Sequence, residues 1–329
     1  MKNILILLFS LSAIFGSGEK NSPNLKRGIK TETASQYDYK AKFGDYIPHF
    51  LGYKYIYKYD SRGNMVDEAN YNRSGNLYDR RIYKYDSRGN LVEKSEYNAE
   101  GALKSKHIYK YDSRGNLVEE LEYYSDGGLG GKLNNAYDSS GNKVETTKYD
   151  SDGDIEFRII NTYDSNGNKI KIIDSGLYGN LESVRIYKYD SNGNKIETTK
   201  YDSDGNIEYK IINNRDSNGN TIDWSVYNSD GELKNKGIIK YDSNGNKIET
   251  IDDFPVESFI DKRITKYNSN GNMVEISDYD SDGSCIDKRI TKYNSKNRPI
   301  EIIEYRCELK FGEVQEILYE KTTVEYELY

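Results

Sequence analysis

The chain has 329 residues, 35% hydrophobic and 31% charged, with 33 Tyr, 28 Gly, 4 Pro, 2 His, 2 Cys and a formal net charge of -7. That is too poor in aliphatics for an ordinary layered enzyme and too rich in tyrosine and β-branched residues for a disordered chain. Acids and bases are interspersed, so no basic block invites nucleic acid, and the scarcity of His and Cys removes most metal and nucleophile chemistry.

Lys2 precedes an apolar run from Ile4 to Phe15, followed by the small residues Gly16, Ser17 and Gly18. This is the layout of a secretory signal peptide over residues 1–18, and the run is too short for a bilayer, which needs about 20 apolar residues. No Cys follows for lipid attachment. The expected protein is exported (secreted, periplasmic or at the cell surface) and does not span a membrane after cleavage. Residues 19–52 read as an N-terminal linker and capping strands. The lead-in to about 35 is polar and expected to be mobile, and the aromatic-rich stretch from Tyr37, with Pro48, suggests an irregular strand or two.

Residues 53–310 hold ten tandem repeats of 26 residues. Reading every twenty-sixth residue from Tyr59 gives Tyr85, Tyr111, Tyr137, Tyr163, Tyr189, Arg215, Tyr241, Tyr267 and Tyr293; a second series twelve residues later runs from Tyr71 to Tyr305. Most members of both precede a turn close to Asp/Asn-Ser-x-Gly-Asn, as in Asp86-Ser87-Arg88-Gly89-Asn90. Asp first and Gly fourth are the preferences of a type I turn followed by a left-handed glycine, the three-residue hairpin with a bulge. The segments between turns, rich in Tyr, Ile, Val, Thr, Lys and Glu, are strands. The fold class is therefore all-β: an antiparallel hairpin meander of about 20 strands, expected as a curved, superhelically coiled single sheet, with a β-solenoid or a closed shell as rivals. Residues 311–329 read as C-terminal capping strands.

Hairpins fix which residues face each other. Around the turn flanked by Asn294 and Arg298 every pair shares one index sum, and the only two cysteines, Cys285 and Cys307, share it too. This predicts a cross-strand disulfide in an exported protein. The same rule puts Val66 opposite Ile82, Val92 opposite Ile108 and Tyr97 opposite Leu103, and pairs Arg81 with Asp67. It thus predicts one mid-strand aliphatic stripe, with the tyrosines on the other face. The register advances two residues every two strands, which tilts strands by about 35°.

Segments such as Tyr83-Lys84-Tyr85-Asp86-Ser87-Arg88-Gly89-Asn90-Leu91 resemble the YD repeat of the Rhs and teneurin-type proteins. The resemblance covers residues 53 to about 310 and rests on the tyrosine, aspartate and glycine of each first-series turn. It implies a spiralling sheet, a cell-surface setting and carbohydrate binding; with spacings that alternate twelve and fourteen residues and no Pro- and Asp-rich closing signature, it does not imply toxin delivery.

The Asp150-Ser151-Asp152-Gly153-Asp154 turns look like calcium loops, but Gly is fourth instead of sixth and turn chemistry explains each residue. No catalytic residue, cofactor or metal ligand is expected, and the protein is not expected to be an enzyme. Candidate ligand-binding aromatics are Tyr83, Tyr109, Tyr187 and Trp224, which could stack on sugar rings. The expected function is an exported, non-enzymatic binding scaffold for a glycan or a surface protein, the alternative being a structural element that self-associates. Nucleic acid is not an expected partner.

Overall fold

The computed structural model describes residues 28–42, 45–253, 262–280, 282–310 and 313–328. The expected signal peptide lies outside them, as does one second-series turn within 254–261. The described chain forms one antiparallel sheet of 22 strands. Each consecutive pair of strands is hydrogen-bonded, from β1 (Ile29–Lys42) with β2 (Asp45–Tyr59) through to β21 (Pro299–Lys310) with β22 (Glu313–Leu328). β1 also pairs with β22, Glu32 facing Tyr57 on one side and Tyr326 on the other. The meander is thus a closed barrel. The open coil expected from the repeats gives way to the closed alternative because the closing strand lies outside them: residues 29–35, expected as a mobile lead-in, are the first half of β1.

The turns are as the sequence predicts. Between β2 and β3 (Met65–Tyr71), Gly63 N–H donates to Asp60 C=O at 3.0 Å, and Asp60 N–H to Asn64 C=O at 2.8 Å. Gly63 sits at φ 89°, in the left-handed region. The aspartate side chain completes the turn: Asp60 Oδ1 accepts the N–H groups of Arg62 and Asn64, both at 2.9 Å, and Oδ2 accepts the Asn64 amide. This explains why Asp and Asn bracket the loop.

The predicted register holds next to each turn and fails beyond it. Tyr97 faces Leu103 and Tyr293 faces Pro299, but the next rungs are Glu96 with Ser105 and Lys292 with Glu301. A β-bulge follows every described turn, so the mid-strand partners are Asp67 with Ile82 and Glu93 with Ile108, and Arg81 faces Glu68 instead of Asp67. Val66 and Val92 are the extra residues of the bulges opposite Lys58–Tyr59 and Lys84–Tyr85, and no continuous aliphatic stripe runs across the described strands. The isoleucines instead face a carboxylate on one side in most repeats and either a small residue or a single aliphatic on the other: Ile82 lies between Asp67 and Ser95 and Ile264 between Glu249 and Ser277, while Ile160 faces Ile173 and Ile290 faces Ile303. Bulges in the two hairpin series offset each other. The path Asp67, Ile82, Ser95 still advances two residues per two strands, so the tilt of about 35° stands. A ring of 22 strands is in the size class that encloses a lumen.

The two faces differ. The residue before each first-series position, including Lys58, Lys84, Lys110, Lys188, Lys240 and Lys292, is exposed. On a closed wall the convex face spreads its side chains and the concave face crowds them, so the lysines mark the outside. Outside, a carboxylate bridges cations from both neighbouring strands. Glu93 binds Lys84 at 2.8 Å and Lys106 at 3.1 Å, Glu197 binds Lys188 and Lys210, and Glu249 binds Lys240 and Lys262. The concave face carries Tyr83, Arg81, Glu68 and their equivalents. Its apolar packing is concentrated where the ring closes: Ile29, Tyr57 and Tyr59 are buried against Tyr55, Met65 and Tyr326.

Candidate functional site

One rim of the barrel is held together by the first-series tyrosines. A bulge at Val66 leaves the β3–β4 ladder ending at Asp67–Ile82, and Tyr85, at the end of β4 (Leu77–Tyr85), donates its hydroxyl to Met65 C=O at 2.8 Å. The bond recurs with the same spacing of twenty: Tyr111 to Leu91, Tyr137 to Leu117, Tyr163 to Lys143, Tyr189 to Lys169, Tyr241 to Thr221, Tyr267 to Lys247 and Tyr293 to Met273. Arg215, the exception in the series, serves the same carbonyl position with Nε and Nη2 on Lys195 C=O at 3.1 and 3.0 Å. At the ring closure Tyr326 of β22 donates to Pro299 C=O at 2.8 Å, in the place of a further repeat. The tyrosine repeat is visible in the sequence; its acceptor is not, because the bulge that frees the carbonyl is not.

Beside this ladder the rim carries hollows. One, of about 500 Å³, lies between successive turns and is lined by Asp138, Ser140, Asn142, Val144, Thr162 and Tyr163 among others. Another, of about 490 Å³, is lined by Asp242, Ile248, Glu249, Ile264, Lys266 and Tyr267. Asp242, Ile248, Lys266 and Tyr267 stand four repeats on from Asp138, Val144, Thr162 and Tyr163, so these are two copies of one hollow: a turn aspartate, a bulge aliphatic and a ladder tyrosine. Asp138 and Asp242 have carboxyls held below the usual carboxylate range, first by side-chain bonds from Asn142 and Asn246 and then by backbone N–H groups. Each hollow thus sets an ionised turn carboxylate beside a bulge aliphatic and a ladder tyrosine.

The four aromatics singled out from the sequence share the concave face but are not gathered into one site. Tyr83 and Tyr109 stand two strands apart, on β4 and β6 (Leu103–Tyr111); Tyr187 and Trp224 lie on β12 (Leu181–Tyr189) and β15 (Thr221–Asn228). The Tyr83 hydroxyl donates to Glu68 at 2.7 Å, and burial, then that bond, raises its pKa. Tyr109 stacks on His107, ring centroids 6.4 Å apart, and burial followed by Glu120 pushes its hydroxyl up to about 12. Lys195 Nζ stands 5.1 Å over the Tyr187 ring. Trp224 lies against Gly237 of the neighbouring strand. Cys285 and Cys307 form the expected disulfide, with Cα atoms 5.6 Å apart. It closes just past the last rung of its hairpin, Asp287 with Arg306, so the two cysteines do not share a rung as the unbulged register had it.

No family model matches the chain, and no curated protein matches it. Among solved structures it is similar to a porin-like protein from Bacteroides uniformis ATCC 8492, at 9% identity and TM-score 0.30, over 92% of this chain and 98% of that one. It is also similar to TcdB2-TccC3, at 11% identity and TM-score 0.27, over 82% of this chain and 20% of that one. The Tc holotoxin pore of Photorhabdus luminescens is similar at 14% identity and TM-score 0.18, over 79% of this chain and 18% of that one.

Proposed function

We propose that the protein is an exported, non-enzymatic binding scaffold, a closed β-shell of YD-like repeats that holds a glycan along its tyrosine-laced rim. The observation that carries this reading is the recurrence of one hollow, a turn carboxylate beside a bulge aliphatic and a ladder tyrosine, at equivalent positions four repeats apart. A polymer of hydroxyl-rich units can meet such a series at several points at once, and linked weak contacts combine into useful avidity. The disulfide fits the oxidising compartment that export implies. A lipid-spanning role is disfavoured by the wall itself. A membrane barrel needs an outward apolar band about 25 Å tall, whereas the convex face here carries Lys84, Glu93 and Lys106 and the concave face Arg81 and Glu68. Self-assembly through free sheet edges is disfavoured too, since each of the 22 described strands has a neighbour on both sides.

The test is a glycan array, followed by calorimetry, on the mature protein and a Thr162→Trp variant. Thr162 is an exposed strand residue lining one hollow; the other hollow accommodates Lys266 at this place, so a flexible cation would leave it open, whereas a rigid indole fills it without disturbing the strand. Saturable glycan binding that weakens in the variant at unchanged melting temperature supports the reading. Absence of any glycan binding, or binding indifferent to the filled hollow, overturns it and turns attention to a protein ligand.

A further inference from the structure

We propose that the β1–β22 seam is a proton-operated latch: in acid a protonated, neutral Glu320 sits between Glu304 of β21 and Asp38 of β1, and loss of that proton sets two like charges, Glu320 and Asp38, against each other across the strands that close the ring and loosens the closure. Glu320 of β22 is the direct cross-strand partner of Glu304 on β21 and, on its other side, of Asp38 on β1. Three carboxyl groups therefore stand in one row over three adjacent strands.

The ends of that row have cations and its middle does not. Arg289 Nε of β20 (Cys285–Tyr293) bonds Glu304 at 2.6 Å, and Tyr319 hydroxyl donates to the other Glu304 oxygen at 3.2 Å. Arg73 Nη2 reaches Asp38 at 3.1 Å. Around Glu320 itself stand the Gln36 side chain, which bonds it, and Tyr55 of β2, which feels its charge. No lysine or arginine bridges Glu320 among the described residues. Like charges directly opposite each other destabilise a strand pair, and two carboxyls sharing one site hold one proton between them.

Burial, and then the charge of Glu304, brings the Glu320 carboxyl up to about 7. A carboxyl whose folded pKa is raised gives stability that is complete below its unfolded value, near 4.5, and is lost as pH rises toward 7. The placement decides what that loss does. Every other strand pair joins consecutive segments of chain, while β1 and β22 are joined by hydrogen bonds and side chains alone. Repulsion there works on the one pairing that can part without straining a turn.

Hydrogen exchange on the full mature protein at about pH 5.5 and about pH 8, each normalised to the intrinsic rate, reads the latch directly. Protection of amides in Ile29–Asp38 and Glu320–Leu328 is expected to fall on the order of tenfold at the higher pH, with β12 and β13 (Lys195–Asp202) unchanged. Glu320→Gln, which keeps a donor and cannot ionise, is expected to show acid-like protection at both pH values; Asp38→Asn, which removes the opposing charge across the seam, provides the same test should the first variant not fold. Equal seam protection at the two pH values overturns the proposal. So does a loss that persists in both variants, or one spread evenly over all strands.

Discussion

Trp224 and Gly237 are direct cross-strand partners, and the indole fills the space that any side chain at 237 would need: a Cβ there would stand 2.3 Å from the Trp224 Nε1. At the position of Gly237 other repeats carry Arg81, His107, Leu133, Ile159, Arg185, Ile211, Arg263 and Arg289, and none of them pairs it with Trp. The glycine is therefore the complement of the tryptophan, an aromatic laid over a bare strand.

Gly237→Ala is expected to destabilise the protein by about 1–3 kcal/mol, because the added methyl overpacks against the indole. The double variant Trp224→Thr with Gly237→Ile rebuilds the pairing of Thr198 with Ile211 and is expected to recover most of that loss. Urea denaturation of Trp224→Thr, Gly237→Ile and their double closes the cycle. Additive effects would show that the two side chains do not interact.

The tyrosine ladder predicts a graded result. Tyr85→Phe deletes only the hydroxyl that donates to Met65 C=O and is expected to cost about 0.5–1.5 kcal/mol in the denaturation midpoint. The half-buried Tyr85 should cost more than Tyr163 or Tyr267, whose bonds are solvent-exposed. Arg215→Phe is expected to cost more than the tyrosine variants, since Arg215 gives up bonds to both Lys195 C=O and Gly219 C=O, the latter at 2.6 Å.

Much of this fold is legible because turns speak locally. Asp at the first turn position and Gly at the fourth announce the hairpin from four residues alone, and the tyrosine period counts the strands between. Two features escape such reading. A bulge adds one residue to a strand without a composition of its own: Val66 and Val92 look like core positions, yet each is the unpaired residue that moves all later partners by one. Ring closure depends on β1, whose Thr, Glu and Ser residues read as a polar lead-in because nothing in Ile29–Lys42 repeats. The rim hollows were missed for the first reason, since the bulge helps to form them, whereas the concave-face aromatics were legible by type but not by grouping.

The Cys285–Cys307 bridge closes a span of 22 residues at the far end of the β20–β21 hairpin from its turn. By the chain-entropy estimate such a loop contributes about 3 kcal/mol. Replacing both cysteines with serine is expected to remove up to that amount and to expose β20 and β21 to exchange before the middle repeats. Unchanged stability after reduction would mean that the neighbouring strands already hold this hairpin shut.

Acid should attack the ring at a different place from alkali. The carboxyls of Asp112, Asp138, Asp164, Asp190 and Asp242 are all held below the usual carboxylate range, first by the side-chain bond from the asparagine four residues on and then by backbone N–H donors. A depressed folded pKa means stability that is present above the unfolded value and is lost as pH falls through the folded one. Repetition multiplies the effect, because the same turn recurs along a whole rim. A sharp loss of stability is therefore expected below about pH 4, outside the window in which Glu320 acts. Asn already occupies this turn position at Asn98, where its Oδ1 accepts the N–H groups of Glu100 and Ala102 at 3.1 and 2.9 Å. Replacing these five aspartates with asparagine should preserve the turns and blunt the acid transition, while five alanines should destabilise the protein at every pH. Thermal melts of the three proteins across the acid range decide the matter; an acid transition as steep in the asparagine variant as in the parent would place its origin elsewhere in the wall.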